Sequence, residues 1–346
     1  MRQLMALESH SPIAIIGAGA WGTALAQVAA RAIQHRARTE DNNETVTVYT
    51  HRAALAEQVN RERQNQPSLP GIALEPQIFF TNHRSHLRQA QTIILAVPSD
   101  RLAESLHSLA AEIAPNAVLI SAAKGLSNDH ALRMSELVHK IMPSNPVAAL
   151  SGPGFAGEVA RGQPTAVTLA AETLAIAESQ LPALVSRSFR PYPSDDLIGT
   201  EIGGVAKNVI AIACGIAVGM GFGDNVRAAL ITRGLAELTR YGLALGGRAE
   251  TLSGLAGVGD LVLTCSGHQS RNLRFGIALG QGRDRAQALE EFGTVEGIRT
   301  ARLITKESQR RSLSMPICES VEAVLSGQAS RHDAVESLLS RPIPNL

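Results

Sequence analysis

Residues 13–22 read IAIIGAGAWG, and the fold turns on how that stretch is interpreted. A short apolar run, Ile13 to Ile16, enters Gly17-Ala18-Gly19-Ala20-Trp21-Gly22, which has the spacing G-x-G-x-x-G. Helix-forming WGTALAQVAARAI follows from Trp21 to Ile33, then polar RARTEDNNE, then VTVYT at 46–50. Strand, glycine turn, helix, loop and strand in that order open a βαβ unit. Glycines spaced this way are a weak signal alone. Between a strand and a helix each has a task. Gly17 allows the tight turn, Gly19 lets a pyrophosphate approach the backbone, and Gly22 lets helix and strand pack closely. The helix N-terminus then offers unpaired N–H groups and the positive end of its dipole to phosphate.

Outward from this unit the alternation continues. Strand-like runs are TIILAV at 92–97, AVLISAA at 117–123, VAALSG at 147–152 and TAVTLAA at 165–171, with helical stretches between several of them. This predicts an α/β fold with an N-terminal Rossmann-like, doubly wound, mostly parallel sheet covered on both faces. The pattern stops after about Pro193. Long apolar segments punctuated by glycine follow, such as EIGGVAKNVIAIACGIAVGM and RAALITRGLAELTRYGLALG, and imply an all-helical C-terminal domain. FRPYPSDD, around 190–195, has the Pro, Ser and Asp content of a linker. The expected organisation is a dinucleotide-binding domain over 10–193 and a helical substrate-binding and catalytic domain over 194–346.

Composition narrows the class. The 346 residues are 45% hydrophobic but only 3% aromatic, so the core must rest on Ala, Val, Leu and Ile. With 32 basic and 31 acidic residues the net charge is +1, which argues against a nucleic-acid or membrane-surface binder. Cys214, Cys265 and Cys318 are odd in number and far apart, which fits a reducing compartment without disulfides or structural zinc. No His/Cys/Asp cluster calls for a metal. The opening MRQLMALESHSP lacks the long apolar core of a signal peptide, and a cytoplasmic location is expected. The most apolar stretch, Val205 to Gly223, contains Lys207 and Asn208; it reads as a buried helix rather than a membrane span.

Several residues are candidates for chemistry. A strict NAD enzyme places a carboxylate after its second strand to hold the ribose 2′-hydroxyl. Here Tyr49-Thr50 is followed by His51 and Arg52, with no carboxylate before Glu57. An arginine there suits a 2′-phosphate; a solvated surface arginine is an equal alternative. Strand C-termini face the ligand crevice of a doubly wound sheet, so Lys124 in SAAKGL can reach a ligand, a lone surface lysine being the bland alternative, and Gly152 and Gly154 of SGPGFA either admit a ligand close to the backbone or simply make a turn. Lys207 is a charge inside an apolar helix; it must pair, snorkel or shift its pKa, and snorkelling is the blander outcome. A desolvated lysine serves as general acid or base. GVGDL isolates Asp260 among glycines and apolar residues. Ser270-Arg271-Asn272 offers a hydroxyl, a guanidinium and an amide in succession, a set suited to phosphate, though each could equally cap a helix or lie in a surface loop. Val295-Glu296-Gly297 is ordinary by itself.

Taken together, GAGAWGTALA, LAVPS, SAAKGL, SGPGFAGE, EIGGVAKNVIAIACGIAVGMGFGDN, ALITRGLAE, AGVGDLVLTCSGHQSRNLRFG and VEG resemble the bacterial-type NAD(P)-dependent glycerol-3-phosphate dehydrogenases, from about Ile13 to Glu319. The resemblance implies reversible hydride transfer between NAD(P)H and dihydroxyacetone phosphate, giving glycerol 3-phosphate for glycerophospholipid synthesis. It implies either NADP or NAD as cofactor, with NADPH favoured, no nucleic-acid partner, no membrane span, and a possible homodimer. By the same resemblance Lys207 is the catalytic proton donor and acceptor. Lys124 lies between cofactor and substrate. Asp260, Ser270, Arg271 and Asn272 bind substrate, Arg271 also reaching the cofactor. Gly152 and Gly154 contact substrate, and Ala156, Trp21, His51, Arg52, Val295 and Glu296 fall at cofactor positions beside Gly17, Gly19 and Gly22. Two positions depart from the pattern: Gly154 stands where the family has Ser or Thr, and Gly157 where it has Lys. A rival with the same two-domain plan would act on a β-hydroxy acid or ketopantoate, recognising a carboxylate without the Ser-Arg-Asn run.

Overall fold

The computed structural model describes residues 13–36, 44–128 and 131–340. The N-terminal stretch and most of the loop RARTEDNNE lie outside the described residues. The chain forms two compact units, one comprising the residues up to Lys124 together with Met134–Leu197, the other Gly125–Arg133 together with Ile198 onward.

The first unit is built on eight strands: β1 (Ile13–Ile16), β2 (Val46–Tyr49), β3 (Ile78–Thr81), β4 (Thr92–Leu95), β5 (Val118–Ser121), β6 (Val147–Ser151), β7 (Thr165–Ala171) and β8 (Phe189–Ser194). Their order across the sheet is β3-β2-β1-β4-β5-β6-β7-β8. All neighbours run parallel except β6 and β7. The helices are α1 (Ala20–Arg36), α2 (Ala53–Glu62), α3 (Leu102–Leu109), α4 (Met134–Ile141), α5 (Ala156–Ala160), α6 (Leu174–Ser179) and α7 (Leu181–Leu184). Strands covered on both faces read as continuous apolar runs, and all four residues of β1 are buried. Alternate residues feed two cores. Ile13, Ile15, Ile94 and Ile120 pack with α1, while Ala14, Ile16, Ile93 and Leu119 pack with α3 and α4. The winding reverses between β1 and β4, and ligands of such sheets bind at that switch point, beyond the strand C-termini.

Two strands differ from expectation. IFFT at Ile78–Thr81 is β3, the far edge of the sheet. FRPYPS is not a linker but β8, the opposite edge, parallel to β7 with Val167 beside Pro191 and Leu169 beside Pro193. Proline cannot donate to a ladder, so a strand carrying two of them is confined to an edge, where one row of donors needs no partner. Phe189 and Pro191 are buried and Arg190 and Tyr192 exposed, the alternation of a half-covered strand.

The second unit is helical among its described residues: α8 (Leu197–Gly219), α9 (Asp224–Ala244), α10 (Ala249–Leu252), α11 (Asp260–Ser266), α12 (Arg271–Gly280), α13 (Arg285–Phe292), α14 (Glu296–Arg310), α15 (Pro316–Leu325) and α16 (Arg331–Leu339). Helix α8 is long and apolar enough to cross a membrane, but 89% of its most apolar window is buried inside the protein, as in a core helix. It crosses α12 at very short range. Gly215 and Gly219 face Gly276 and Gly280, and a Cβ on any of the four would overlap a carbonyl oxygen of the opposite helix. Leu126, from the segment after Lys124, joins this unit's core beside Ile202 and Val205. Arg133 at the end of that segment makes a largely buried ion pair with Glu201 of α8 at 2.7 Å.

Candidate active site

In the first unit the glycine motif forms a cradle. Gly17 follows β1 with φ of +119°, its N–H donating to the Tyr49 carbonyl at 3.1 Å. A Cβ there would lie 2.6 Å from the Ala96 carbonyl oxygen, and one on Gly22 would overlap the Gly17 carbonyl. Gly19 is exposed, with nothing within 4 Å of its missing Cβ, directly before the first residue of α1. The opening above Gly19 and the unpaired N–H groups of α1 fit a dinucleotide pyrophosphate. A second sign of fit is the Trp21 indole Nε1, buried without a hydrogen-bond partner.

Trp21, Lys124, Gly152 and Gly154 come together beside this cradle. The Lys124 Nζ lies 5.9 Å from the Trp21 ring centroid, within cation–π range, and donates to the Gly152 carbonyl at 2.9 Å. Gly152 has φ of +143°, and a Cβ would approach Val167 Cα to 2.9 Å, so no side chain is accommodated there. At Gly154 a Cβ would meet the Trp21 ring at 3.4 Å, an ordinary contact, so a Cβ is accommodated there. Ala156 opens α5 and packs against the α1 core. His51 and Arg52 are exposed after β2, with the Arg52 N–H bonded to Thr50 Oγ1 at 3.3 Å.

In the second unit Lys207 of α8 is ion-paired with Asp260, the first residue of α11. Their side chains are 8% and 1% exposed, so Lys207 pairs rather than snorkels. A π-helical turn over Leu255–Gly259 delivers Asp260 to this position, a distortion that recurs at functional sites. Two ions buried together offset much of the desolvation that either would suffer alone. Beside them, a hydrogen bond with Cys214 and then burial raise the pKa of the Cys265 thiol, which stays protonated and unreactive.

Two side chains of the Ser-Arg-Asn run also hold structural hydrogen bonds. Ser270 caps α12, its buried Oγ accepting from the Leu273 N–H at 3.2 Å. Asn272 donates to Asn208 Oδ1 at 2.9 Å and accepts from the Gly297 N–H at 3.0 Å, tying α8, α12 and α14 together. Arg271 is exposed, its Nη1 donating to the Thr294 carbonyl at 3.3 Å. That contact brings it beside Val295, which is buried at the N-cap of α14, and Glu296, the first residue of that helix. Asn208 was not singled out from the sequence, although a second polar residue beside Lys207 in an apolar helix was a usable signal.

A glycine-motif sheet of this kind is characteristic of dinucleotide-binding domains, and a buried lysine–carboxylate pair is an arrangement suited to acid–base chemistry. Sequence comparison makes this specific. The profile of the NAD-dependent glycerol-3-phosphate dehydrogenase N-terminus matches residues 12–177, and that of the C-terminus matches 196–336. The protein named glycerol-3-phosphate dehydrogenase (NAD(P)+) of Rhodospirillum rubrum is 46% identical over 333 residues, 96% of this chain and 93% of that one. The crystal structure of the Coxiella burnetii glycerol-3-phosphate dehydrogenase superposes with a TM-score of 0.88 at 36% identity, covering 96% of this chain and 99% of that one. This chain belongs to the NAD-dependent glycerol-3-phosphate dehydrogenase family. A ketopantoate reductase from Ralstonia eutropha, at 16% identity and a TM-score of 0.57, shares the fold alone.

Proposed function

We propose that this chain catalyses the reversible reduction of dihydroxyacetone phosphate to sn-glycerol 3-phosphate with NAD(P)H, in the cytoplasm, for glycerophospholipid synthesis. The observation that carries the reading is the buried Lys207–Asp260 pair in a chain whose two halves both match the family. The first unit is the dinucleotide-binding domain. Gly17, Gly19, Trp21 and Gly22 hold the cofactor there, with Ala156, and His51 and Arg52 take the adenosine ribose. Arg271, Val295 and Glu296 complete its contacts. The nicotinamide, when bound, supplies the hydride to the ketone carbon.

Lys207 Nζ delivers a proton to the developing alkoxide oxygen and takes it back in the reverse direction, a role worth ~10²–10⁴ in rate. Asp260 keeps Lys207 charged and oriented between turnovers. Arg271 forks onto the substrate phosphate, and that binding energy positions the carbonyl. Ser270 and Asn272 join Arg271 in binding substrate, and their other hydrogen bonds fix the helix that presents it. Lys124 contributes positive charge near substrate and cofactor, and Gly152 and Gly154 offer backbone rather than side chain. The working assembly is a homodimer, which light scattering would measure. The deciding experiment follows NAD(P)H absorbance with dihydroxyacetone phosphate, ketopantoate and unphosphorylated dihydroxyacetone. Turnover of ketopantoate above that of dihydroxyacetone phosphate would overturn the assignment.

A further inference from the structure

We infer that Asn65 is a positioning residue for the phosphate-binding loop: by holding the Ala18 carbonyl inward it aims the Gly19 N–H at the cofactor pyrophosphate. Asn65 is completely buried, 47 positions from Ala18 in the chain. Its Nδ2 donates to the Ala18 carbonyl at 3.0 Å and to Thr23 Oγ1 at 2.8 Å. One amide nitrogen therefore grips both sides of the Gly19 turn, since the Thr23 N–H closes the first helical bond onto the Gly19 carbonyl at 2.9 Å.

The geometry of a trans peptide gives this grip a direction. The carbonyl of Ala18 and the N–H of Gly19 belong to one planar unit and point opposite ways. With the carbonyl turned inward to Asn65, the N–H is turned outward, on the exposed side where Gly19 has open space. Without that bond the peptide plane is free to rotate, because glycine resists rotation little.

The segment carrying Asn65 is built to hold it still. The Asn65 carbonyl accepts from the Leu69 N–H at 2.7 Å and the Ser68 N–H at 3.2 Å. Leu69, Ile72 and Leu74 are buried in the α1 core. Arg63 adopts a left-handed φ of +53° that a non-glycine residue seldom takes, and its guanidinium secures the bend by donating to the Ile78 carbonyl at 2.9 Å and the Glu75 carbonyl at 2.6 Å. Gln27 of α1 clamps the far end through the Ala73 carbonyl and Glu75 N–H, each at 2.8 Å.

The proposal rests on the reading that the glycine loop binds the cofactor phosphates, and the test separates the two. The full-length protein is titrated with ADP-ribose, which carries the pyrophosphate, and with adenosine 2′-monophosphate, which does not. Asn65→Asp keeps the shape but replaces the donor with an acceptor; Asn65→Ala removes both. Leu69→Ala loosens the same segment without touching Ala18. Both Asn65 variants should weaken ADP-ribose roughly tenfold or more, the scale of a charge-assisted hydrogen bond, and move adenosine 2′-monophosphate less than about threefold. Leu69→Ala, which leaves the donor in place, should weaken ADP-ribose in the same sense but less than either Asn65 variant. Where Asn65→Ala unfolds, the isosteric Asn65→Asp carries the comparison. ADP-ribose binding within about twofold of wild type in Asn65→Asp, or equal losses for both ligands, would overturn the role of Asn65. Wild-type protein that binds ADP-ribose no better than adenosine, which carries no phosphate at all, would instead overturn the phosphate-loop reading beneath it.

Discussion

Substituting Asp260 by Asn removes a charge while keeping the shape, and the burial of the pair sets the cost. Asp260 is 1% exposed and Lys207 8%, so water cannot replace the lost carboxylate. Removing one partner of a buried pair typically costs 3–5 kcal/mol, because the other charge is stranded, so roughly that loss of stability is expected. The protein can relieve part of it by releasing the Lys207 proton, so the Lys207 pKa falls in Asp260→Asn relative to wild type. Ketone reduction needs the protonated ammonium. The variant should therefore lose reduction rate as pH rises, earlier than wild type, and recover part of it on acidification. At alkaline pH the deficit should approach that of a missing general acid, ~10²–10⁴. Single-turnover reduction of dihydroxyacetone phosphate, measured from mildly acidic to mildly alkaline pH, reads this directly. Adding Lys207→Met to Asp260→Asn should restore stability towards wild type, since no unpaired ion remains. A deficit independent of pH, or a double variant less stable than both single ones, would refute the argument that Asp260 acts by holding the charge of Lys207.

Arg271→Ala should raise the Michaelis constant for dihydroxyacetone phosphate about 10–150-fold, the loss of roughly 1.5–3 kcal/mol, and barely affect unphosphorylated dihydroxyacetone; equal losses on the two would free Arg271 from the phosphate. Wild type should accept both cofactors with a modest preference for NADPH, and Arg52→Asp should reverse that order in the ratio of kcat/KM values at fixed low salt. A ratio unmoved by the substitution would place Arg52 away from the adenosine ribose. Glu237, buried on α9, accepts from the Ile317 and Cys318 N–H groups at the start of α15, and burial pushes its carboxyl up to about 7 despite those bonds. Its folded pKa exceeds its unfolded one, so the folded state holds the proton longer, and stability should fall as pH rises from about 4.5 to about 7 and level off above. Glu237→Gln should flatten that window in melting temperature against pH; parallel curves for the two proteins would contradict it.

The parts of the fold legible in the sequence were those where burial leaves a local signature. The runs at β1, β2, β4, β5, β6 and β7 are apolar because central strands are covered on both faces. The edges were harder to read: β8 alternates and contains two prolines, so it read as a linker, and β3 is only four residues long. At the site, Lys207 and Asp260 each stood out as an ion among apolar neighbours, but their pairing spans 53 positions and belongs to tertiary packing. At Ser270 and Asn272 the sequence left a ligand contact and a helix cap equally open, and their structural hydrogen bonds became visible only in the fold. Successive helical residues point about 100° apart, and Ser is a preferred cap, so two of the three turned inward to structural duties. Asn65 gave no sequence signal, since a polar residue in an irregular segment looks like surface until its contacts are known.

The glycine crossing of α8 and α12 bears on how finely Lys207 is aimed. Where two helices touch backbone to backbone there are no side chains to yield, so the azimuth of α8 about its own axis is set by carbonyl oxygens. Gly215 lies eight residues along α8 from Lys207, about 12 Å at helical rise. A single methyl at that distance would wedge the helices apart and turn the ammonium off its bearing without touching any group that handles a proton. The four glycines thus act as a bearing surface, machined to zero clearance, whose tolerance is inherited by the Lys207 ammonium two turns away.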